Sequence, residues 1–172
     1  MARPPTDEDF TEFVHASWPS LYRTAYLMLG EHQLAEDLVQ AALARTYASW
    51  RKVRDPGAAP AYARVVLVNT ATSWFRRRSW RNERPTHDLP DSGHEPDPSN
   101  RPALVEALRA LPPRQRAVVV LRYYDDLSVR EVATALGIAE GTVKSQTADA
   151  LTRLRMLLGD AAAPSPEGAR HD

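Results

Sequence analysis

The chain has 172 residues, enough for one ordinary domain or two small ones, and 43% of them are apolar, enough for a packed core. It has no cysteine, which excludes disulfide frameworks, thiolate zinc sites and cysteine nucleophiles. The formal net charge is zero, which argues against a general polyanion binder.

That average hides a segregation. Residues 1–44 carry two basic and seven acidic side chains, residues 45–84 ten basic and two acidic, and residues 85–172 ten basic and thirteen acidic. One basic surface beside an acidic one is expected. With only 7 glycines and short β-branched runs, the chain reads as all-α. No apolar run reaches membrane-spanning length, and MARPPTDEDF has no hydrophobic stretch behind it, so a cytoplasmic protein is expected.

Phe10, Phe13 and Val14 mark a short first helix. Ser17 before Trp18 and Pro19 reads as a cap with proline in a first turn, so a second helix is expected from there to Gly30. A third helix follows from about Glu31 to Trp50, with Leu34, Leu38, Ala41, Ala42 and Tyr47 near one stripe. RDPGAAP is a loop, and a fourth helix runs from about Pro60 to Asn82. On a helical wheel Ala61, Val65, Val68, Thr72 and Phe75 form its expected core stripe, flanked by Leu67, Ala71 and Trp74. A second face carries Tyr62, Asn69, Ser73, Arg76, Arg77 and Trp80. Aromatic and basic residues on one face suit stacking on bases and pairing with phosphates. The same face also fits solvated arginines with aromatics packed on neighbouring helices.

Residues 84–102, RPTHDLPDSGHEPDPSNRP, hold five prolines and four acids. They cannot bury a core and read as a flexible linker between a module at 1–83 and a second at 103–160. The tail 161–172 is Ala/Pro-rich and expected to be disordered. In the second module Leu104, Leu108 and Leu111 form one stripe, and Pro112–Pro113 open a helix that ends at Asp125–Asp126. Ser128 and Glu131 form a capping box for the next helix, and Gly137 supplies the following turn. Two short amphipathic helices joined by so short a turn read as a helix-turn-helix. On its second helix Val143, Thr147, Ala150 and Leu154 face inward, while Thr142, Ser145, Gln146, Asp149 and Arg153 face out with Lys144 at the flank. Glutamine can pair with adenine and serine with either strand. A plain three-helix interaction domain fits the same pattern.

LPPRQRAVVVLRYYDDLSVREVATALGIAEGTVKS resembles the second globular domain of bacterial sigma factors, and AEDLVQAALARTYASW with YARVVLVNTATSWFRRRSW resembles their first. Two such domains on a short linker resemble the extracytoplasmic-function (group IV) sigma factors, and SWFRRRSWRNERP their SigE-like subgroup. The resemblance covers about residues 10–158. It implies a four-helix promoter-melting domain and a helix-turn-helix domain acting with core RNA polymerase on promoter DNA, with an anti-sigma factor as a further partner class. It places Glu36, Asp37 and Gln40 on the β′ clamp helices, and the helix around Arg114–Arg122 near the β flap. It assigns Tyr62, Asn69, Ser73, Arg76, Arg77, Arg78 and Trp80 to the −10 element, and RDPGAAP to the loop that holds a flipped base. It assigns Thr142, Lys144, Ser145, Gln146 and Asp149 to the −35 element. Four positions depart from the family pattern: Ala41 where an acid is common, Gln146 and Asp149 where many relatives carry arginine, and Ala139 in place of a serine cap.

Two other classes weigh less. A repressor or activator that never meets polymerase shares the helix-turn-helix but leaves AEDLVQ and the arginine helix unexplained. An enzyme lacks its machinery: adjacent Glu36 and Asp37 point about 100° apart on a helix, and no glycine loop cradles a phosphate. No cofactor, metal, membrane or small-molecule substrate is expected. His87 and His94 beside Asp88 and Asp91, all in the linker, are the nearest approach to a metal set.

Overall fold

The computed structural model describes residues 3–81 and 102–159. Among them every regular element is helical: α1 (Asp7–Leu29), α2 (His32–Ala48), two 3-10 turns (Trp50–Lys52 and Pro56–Ala58), α3 (Ala59–Arg81), α4 (Pro102–Ala110), α5 (Pro113–Val119), a π turn (Val120–Tyr124), α6 (Val129–Leu136) and α7 (Glu140–Leu158). The linker up to Arg101 and the tail from Asp160 lie outside the described residues, and so does the histidine pair of the linker.

α1 begins with a reciprocal cap. Thr6 Oγ1 accepts from the Asp9 amide at 3.2 Å, and Asp9 Oδ2 accepts from the Thr6 amide at 2.7 Å. The Thr6 amide and hydroxyl, both donating to Oδ2, hold the Asp9 carboxyl below its ordinary range, and the neighbouring Arg3 adds to the effect. Asp7, Glu8 and Asp9 in this first turn also suit the positive end of the helix dipole.

The expected break at Ser17–Pro19 does not occur: α1 runs through Pro19 to Leu29. A proline inside a helix removes one backbone bond and costs ~3 kcal/mol. Here the apolar face continues across it, from Phe13 and Val14 through Trp18 to Leu21, Ala25 and Met28, and packing against α2 and α3 offsets that cost. An aromatic cluster anchors the N-terminal half. Phe10 lies 5.1 Å and Phe13 5.3 Å from the Trp50 ring, and Trp50 Nε1 donates to the Thr6 carbonyl at 2.9 Å.

α2 buries Ala35, Leu38, Val39, Ala42 and Leu43. Tyr47, expected in that stripe, is exposed and donates to Asp7 instead. α3 also corrects the wheel. Its buried residues are Ala59, Ala63, Leu67, Val68, Thr70 and Ala71, whereas Ala61 and Val65 are exposed and Thr72 and Phe75 half-buried. α3 packs along α2, and Arg45 donates to Thr70 between them.

In the second module Leu108 and Leu111 are buried as expected and Leu104 is half-buried, and Val118, Val119 and Leu121 are buried beside them. At the end of α5 the spacing widens to a π turn, with the Asp125 amide donating to the Val120 carbonyl at 3.0 Å, and Asp126 adopts a positive φ of 55°. Aspartate tolerates that region better than most residues. Ser128 and Glu131 form the expected capping box. Gly137, at φ 65°, closes α6 with the Ile138 amide donating to the Ala133 carbonyl, a Schellman end. α7 then packs on α4, α5 and α6.

The two modules are in direct contact. α1 packs on α4, α5 and the π turn, α3 packs on α6, and the buried apolar residues form one continuous cluster from Leu21 and Met28 to Val118 and Leu154. Polar groups cross the junction as well. Arg116 donates to the Met28 carbonyl at 2.7 Å, and Thr24 donates to Asp125 Oδ1 at 2.9 Å. Arg64 Nε lies 3.7 Å from Asp125 Oδ2. Burial pushes the Asp125 carboxyl up from its ordinary value, against the opposing pull of Thr24 and Arg64.

α7 starts at Ala139 without a side-chain cap. Ala139→Ser supplies the missing acceptor and is expected to stabilise the protein by about 0.5–2 kcal/mol. A thermal melt of the full chain checks it, and an unchanged midpoint would show that the serine does not cap this helix.

Candidate nucleic-acid and polymerase interface

Each expected contact surface sits on a helix whose opposite side is fixed in the core. On α2, Asp37 and Gln40 are exposed and Glu36 is half-buried. They lie over the buried Ala35, Leu38 and Val39, so this polar edge cannot turn inward. Gln33 Nε2 donates to Asp37 Oδ1 at 3.0 Å one turn back, which holds that carboxylate in place along the helix.

On α3 the outward stripe is Tyr62, Val65, Asn69, Ser73 and Arg77. Tyr62 is 41% and Val65 39% exposed, Asn69 and Arg77 are exposed, and Ser73 is half-buried. Tyr62 Oη donates to Ser49 Oγ at 3.3 Å, which steadies the ring beside the 3-10 turns. In the RDPGAAP loop Asp55 Oδ1 accepts from the Gly57 amide at 2.9 Å and so caps the second turn. The side chains of Arg76, Arg78 and Trp80 lie outside the described residues, although α3 extends through them. The wheel groups Val65 with Val68 and Phe75 in the core stripe, but Val65 stands at its exposed edge. The signal for the true seam was the small Ala63 and Ala71 at helical spacing, with Val65 falling between Tyr62 and Asn69.

An aromatic ring, an apolar side chain, an amide and a guanidinium thus follow one another along a single helix face. This arrangement can stack on an unpaired base, accept or donate at base edges, and hold phosphate.

On α7, Lys144, Ser145, Asp149 and Arg153 are exposed, and Thr142 and Gln146 are half-buried. Val143, Ala150 and Leu154 are buried and Thr147 is half-buried, donating to the Val143 carbonyl. Ser145 donates to the Thr142 carbonyl at 3.1 Å and keeps acceptor capacity outward. Arg130 on α6 lies 3.7 Å from Glu140 and offsets the acid at the start of α7.

The helix around Arg114–Arg122 differs from expectation. Arg114 is exposed, but Arg116 is buried and Arg122 is half-buried, donating to the Leu127 carbonyl at 2.9 Å. Only the start of that helix offers a cation to a partner. Sequence reasoning missed the buried Arg116 and the Asp125 junction.

The chain matches the family model described as Sigma-70 region 2 over residues 13–81, and that described as Sigma-70, region 4 over residues 101–154. It is 42% identical over 150 residues to the RNA polymerase sigma-E factor of Streptomyces coelicolor, covering 86% of this chain and 84% of that protein. It is 36% identical over 146 residues to the ECF RNA polymerase sigma factor SigL of Mycobacterium tuberculosis, covering 80% and 82%. Among solved structures, it is similar to the sigma factor RpoE in its co-crystal structure with the anti-sigma factor NepR from Bartonella quintana. The TM-score is 0.71 at 25% identity, covering 89% of this chain and 98% of that one. With both regions present in order on the helices described, the chain belongs to the extracytoplasmic-function sigma factors of RNA polymerase, which recognise promoters and initiate transcription.

Proposed function

We propose that initiation by this chain divides among three helices. α2 docks on the β′ clamp helices of core polymerase through Asp37 and Gln40, with Glu36 beside them. α3 opens and reads the −10 element through Tyr62, Asn69, Ser73, Arg76, Arg77, Arg78 and Trp80, and Val65 joins that stripe as an apolar contact. α7 reads the −35 element through Thr142, Lys144, Ser145, Gln146 and Asp149. The observation that carries this reading is the α3 stripe, where Tyr62 and Val65 stand exposed in line with Arg77, a ring and a cation placed as stacking on unpaired bases and holding phosphate require. Opening a duplex costs a few kcal/mol per base, and contacts of this kind offset it without bond-making chemistry or a nucleotide cofactor.

The protein works beside polymerase in the cytoplasm, and among the described residues no helix is long and apolar enough to cross a membrane. The 3-10 loop from Arg54 to Pro60 is the place for a flipped base. The resemblance to RpoE in its NepR complex supports an anti-sigma factor as a partner class for this fold.

Asp37→Ala and Gln40→Ala are each expected to weaken binding to core polymerase by roughly tenfold, the loss of about 1.4 kcal/mol from one charged or amide contact, with the melting temperature unchanged. A fluorescence titration against core enzyme checks this, and equal affinities would remove α2 from the docking surface.

Tyr62→Ala and Arg77→Ala are expected to reduce promoter opening more than closed-complex binding, since stacking is worth about 1–3 kcal/mol per base. Permanganate reactivity of the −10 thymines measures opening directly, and normal reactivity in both variants contradicts the role of the stripe.

Asp149 is an exposed acid on the groove face. If it only repels phosphate, Asp149→Arg tightens binding on most sequences and steepens the salt dependence by about one ion. If it accepts from a cytosine amino group, the same change costs about 1–3 kcal/mol of discrimination at one −35 position. Affinities across a small −35 library at two salt concentrations separate the two. No change in either quantity would place Asp149 away from DNA.

A further inference from the structure

A cavity of about 430 Å³ opens between the first half of α1 and the turns that follow α2. α1 lines it with Asp9, Glu12 and Phe13, the first 3-10 turn and the residue after it with Trp50 and Val53, and the loop beyond with Arg54. None of the described residues that line it belongs to α3, so it is distinct from the outward stripe of that helix. Its volume lies in the range of small-molecule clefts, which join an apolar body to a few convergent polar groups.

The apolar wall is fixed before any ligand arrives. Phe13 and Trp50 have ring centroids 5.3 Å apart and planes tilted by 31°. The Trp50 indole donates to the Thr6 carbonyl, and the Val53 amide donates to the Trp50 carbonyl at 3.0 Å. A preformed wall loses little freedom on binding.

The charges divide into two kinds. Arg3 Nη2 donates to both oxygens of Asp9, at 3.1 and 3.2 Å, and the Thr6 amide and hydroxyl donate to Oδ2, so these two charges answer each other. Glu12 and Arg54 are exposed, and neither has a partner among the described residues. One stands on α1 and the other on the loop. The cavity thus offers a carboxylate that can only accept and a guanidinium that can only donate, beside an aromatic wall.

We propose that this cavity binds a small zwitterion with an apolar or aromatic body, the class of free amino acids and dipeptides. Its ammonium group meets Glu12, its carboxylate meets the planar fork of Arg54, and its side chain lies against Phe13. A nucleotide fits less well. Its phosphate would add negative charge beside two carboxylates, with Arg54 as the one unpaired cation among the described residues of the lining. A neutral apolar molecule would gain nothing from either charge. The occupant touches α1 and the loop together, and so ties the connection between α2 and α3 to the start of the chain. Its binding to the free chain depends on none of the promoter or polymerase assignments.

A nuclear magnetic resonance titration of the whole chain tests this, read at the backbone amides of Glu12, Phe13, Val53 and Arg54 and at the Trp50 indole. L-Phenylalanine and glycyl-phenylalanine are the zwitterions, and phenethylamine and 3-phenylpropionate each lack one of the two charges. At least one zwitterion is expected to saturate these signals with a dissociation constant of about 1 mM or below, within reach of a ligand of about a dozen non-hydrogen atoms. Each half-ligand is expected to bind about tenfold more weakly. Glu12→Gln is expected to weaken the zwitterion and phenethylamine by about tenfold and to leave 3-phenylpropionate unchanged. Arg54→Gln is expected to weaken the zwitterion and 3-phenylpropionate and to leave phenethylamine unchanged. Both positions are exposed, so neither variant threatens the fold. No saturable shift at these residues with either zwitterion, up to about 10 mM, overturns the site. So do saturating shifts confined to other residues, half-ligands that bind as tightly as the zwitterions, or affinities that both variants leave unchanged.

Discussion

A guanidinium group buried where α1, α4 and α5 meet holds the rest of the structure in register. Arg116 donates to the carbonyls of Leu108, Arg109 and Leu111 and, across the module junction, to that of Met28. These carbonyls lie at or just beyond the C-terminal ends of α4 and α1, where backbone acceptors have no partner within their own helix. One cation thus serves two helix ends, each of which carries partial negative charge. The planar fork of arginine suits several carbonyls at once, which the point charge of lysine does not. A charge this deep is tolerated because its donors are met, and the apolar cluster can then close around it without a break.

The remaining surfaces follow from what this core leaves outside. Burial of Ala63, Leu67, Val68 and Ala71 on the inner side of α3 turns Tyr62, Val65, Asn69 and Arg77 outward together. The Phe10, Phe13 and Trp50 cluster fixes the start of α1 against the end of α2, which in turn sets the 3-10 loop between α2 and α3. The charge segregation of the sequence is thereby kept in space: acids along α1 and α2, arginines toward the end of α3. An acidic edge avoids phosphate and a basic one seeks it, so a single neutral chain can face a protein on one side and DNA on another.

Local signals were the ones the sequence displayed openly. The Ser128–Glu131 box, Gly30 and Gly137 at helix ends and the uncapped Ala139 depend on residues a few positions apart, and each lies where expected. The misreadings came where distant packing overrides local preference. Pro19 looks like a helix start, yet the apolar face on both sides of it is shared by one helix. Val65 looks like core, yet the smaller Ala63 and Ala71 occupy the seam. The basic helix of the second module looks like surface, yet the partners of Arg116 include a carbonyl 88 positions away. Within the candidate site, exposure of Asp37, Gln40, Asn69, Lys144, Ser145 and Asp149 agrees with the sequence pattern, whereas Thr142 and Gln146 are half-covered. Their assignment to promoter and polymerase came from family resemblance, because periodicity says which residues face out but not what they meet.

Gly30 ends α1 at a φ of 72°, and a Cβ built there would lie 2.4 Å from Cγ of Arg109. Two independent constraints meet at that one backbone position: a left-handed helix end within the first module and the stem of a side chain from the second. A residue other than glycine at position 30 would need both a shorter side chain at position 109 and tolerance of the left-handed backbone, which asparagine and aspartate have best. Across a large alignment the pair should drift together, although neither residue touches polymerase or DNA in the roles described. Such coupled drift would be a record, written in sequence, that the two modules rest against each other.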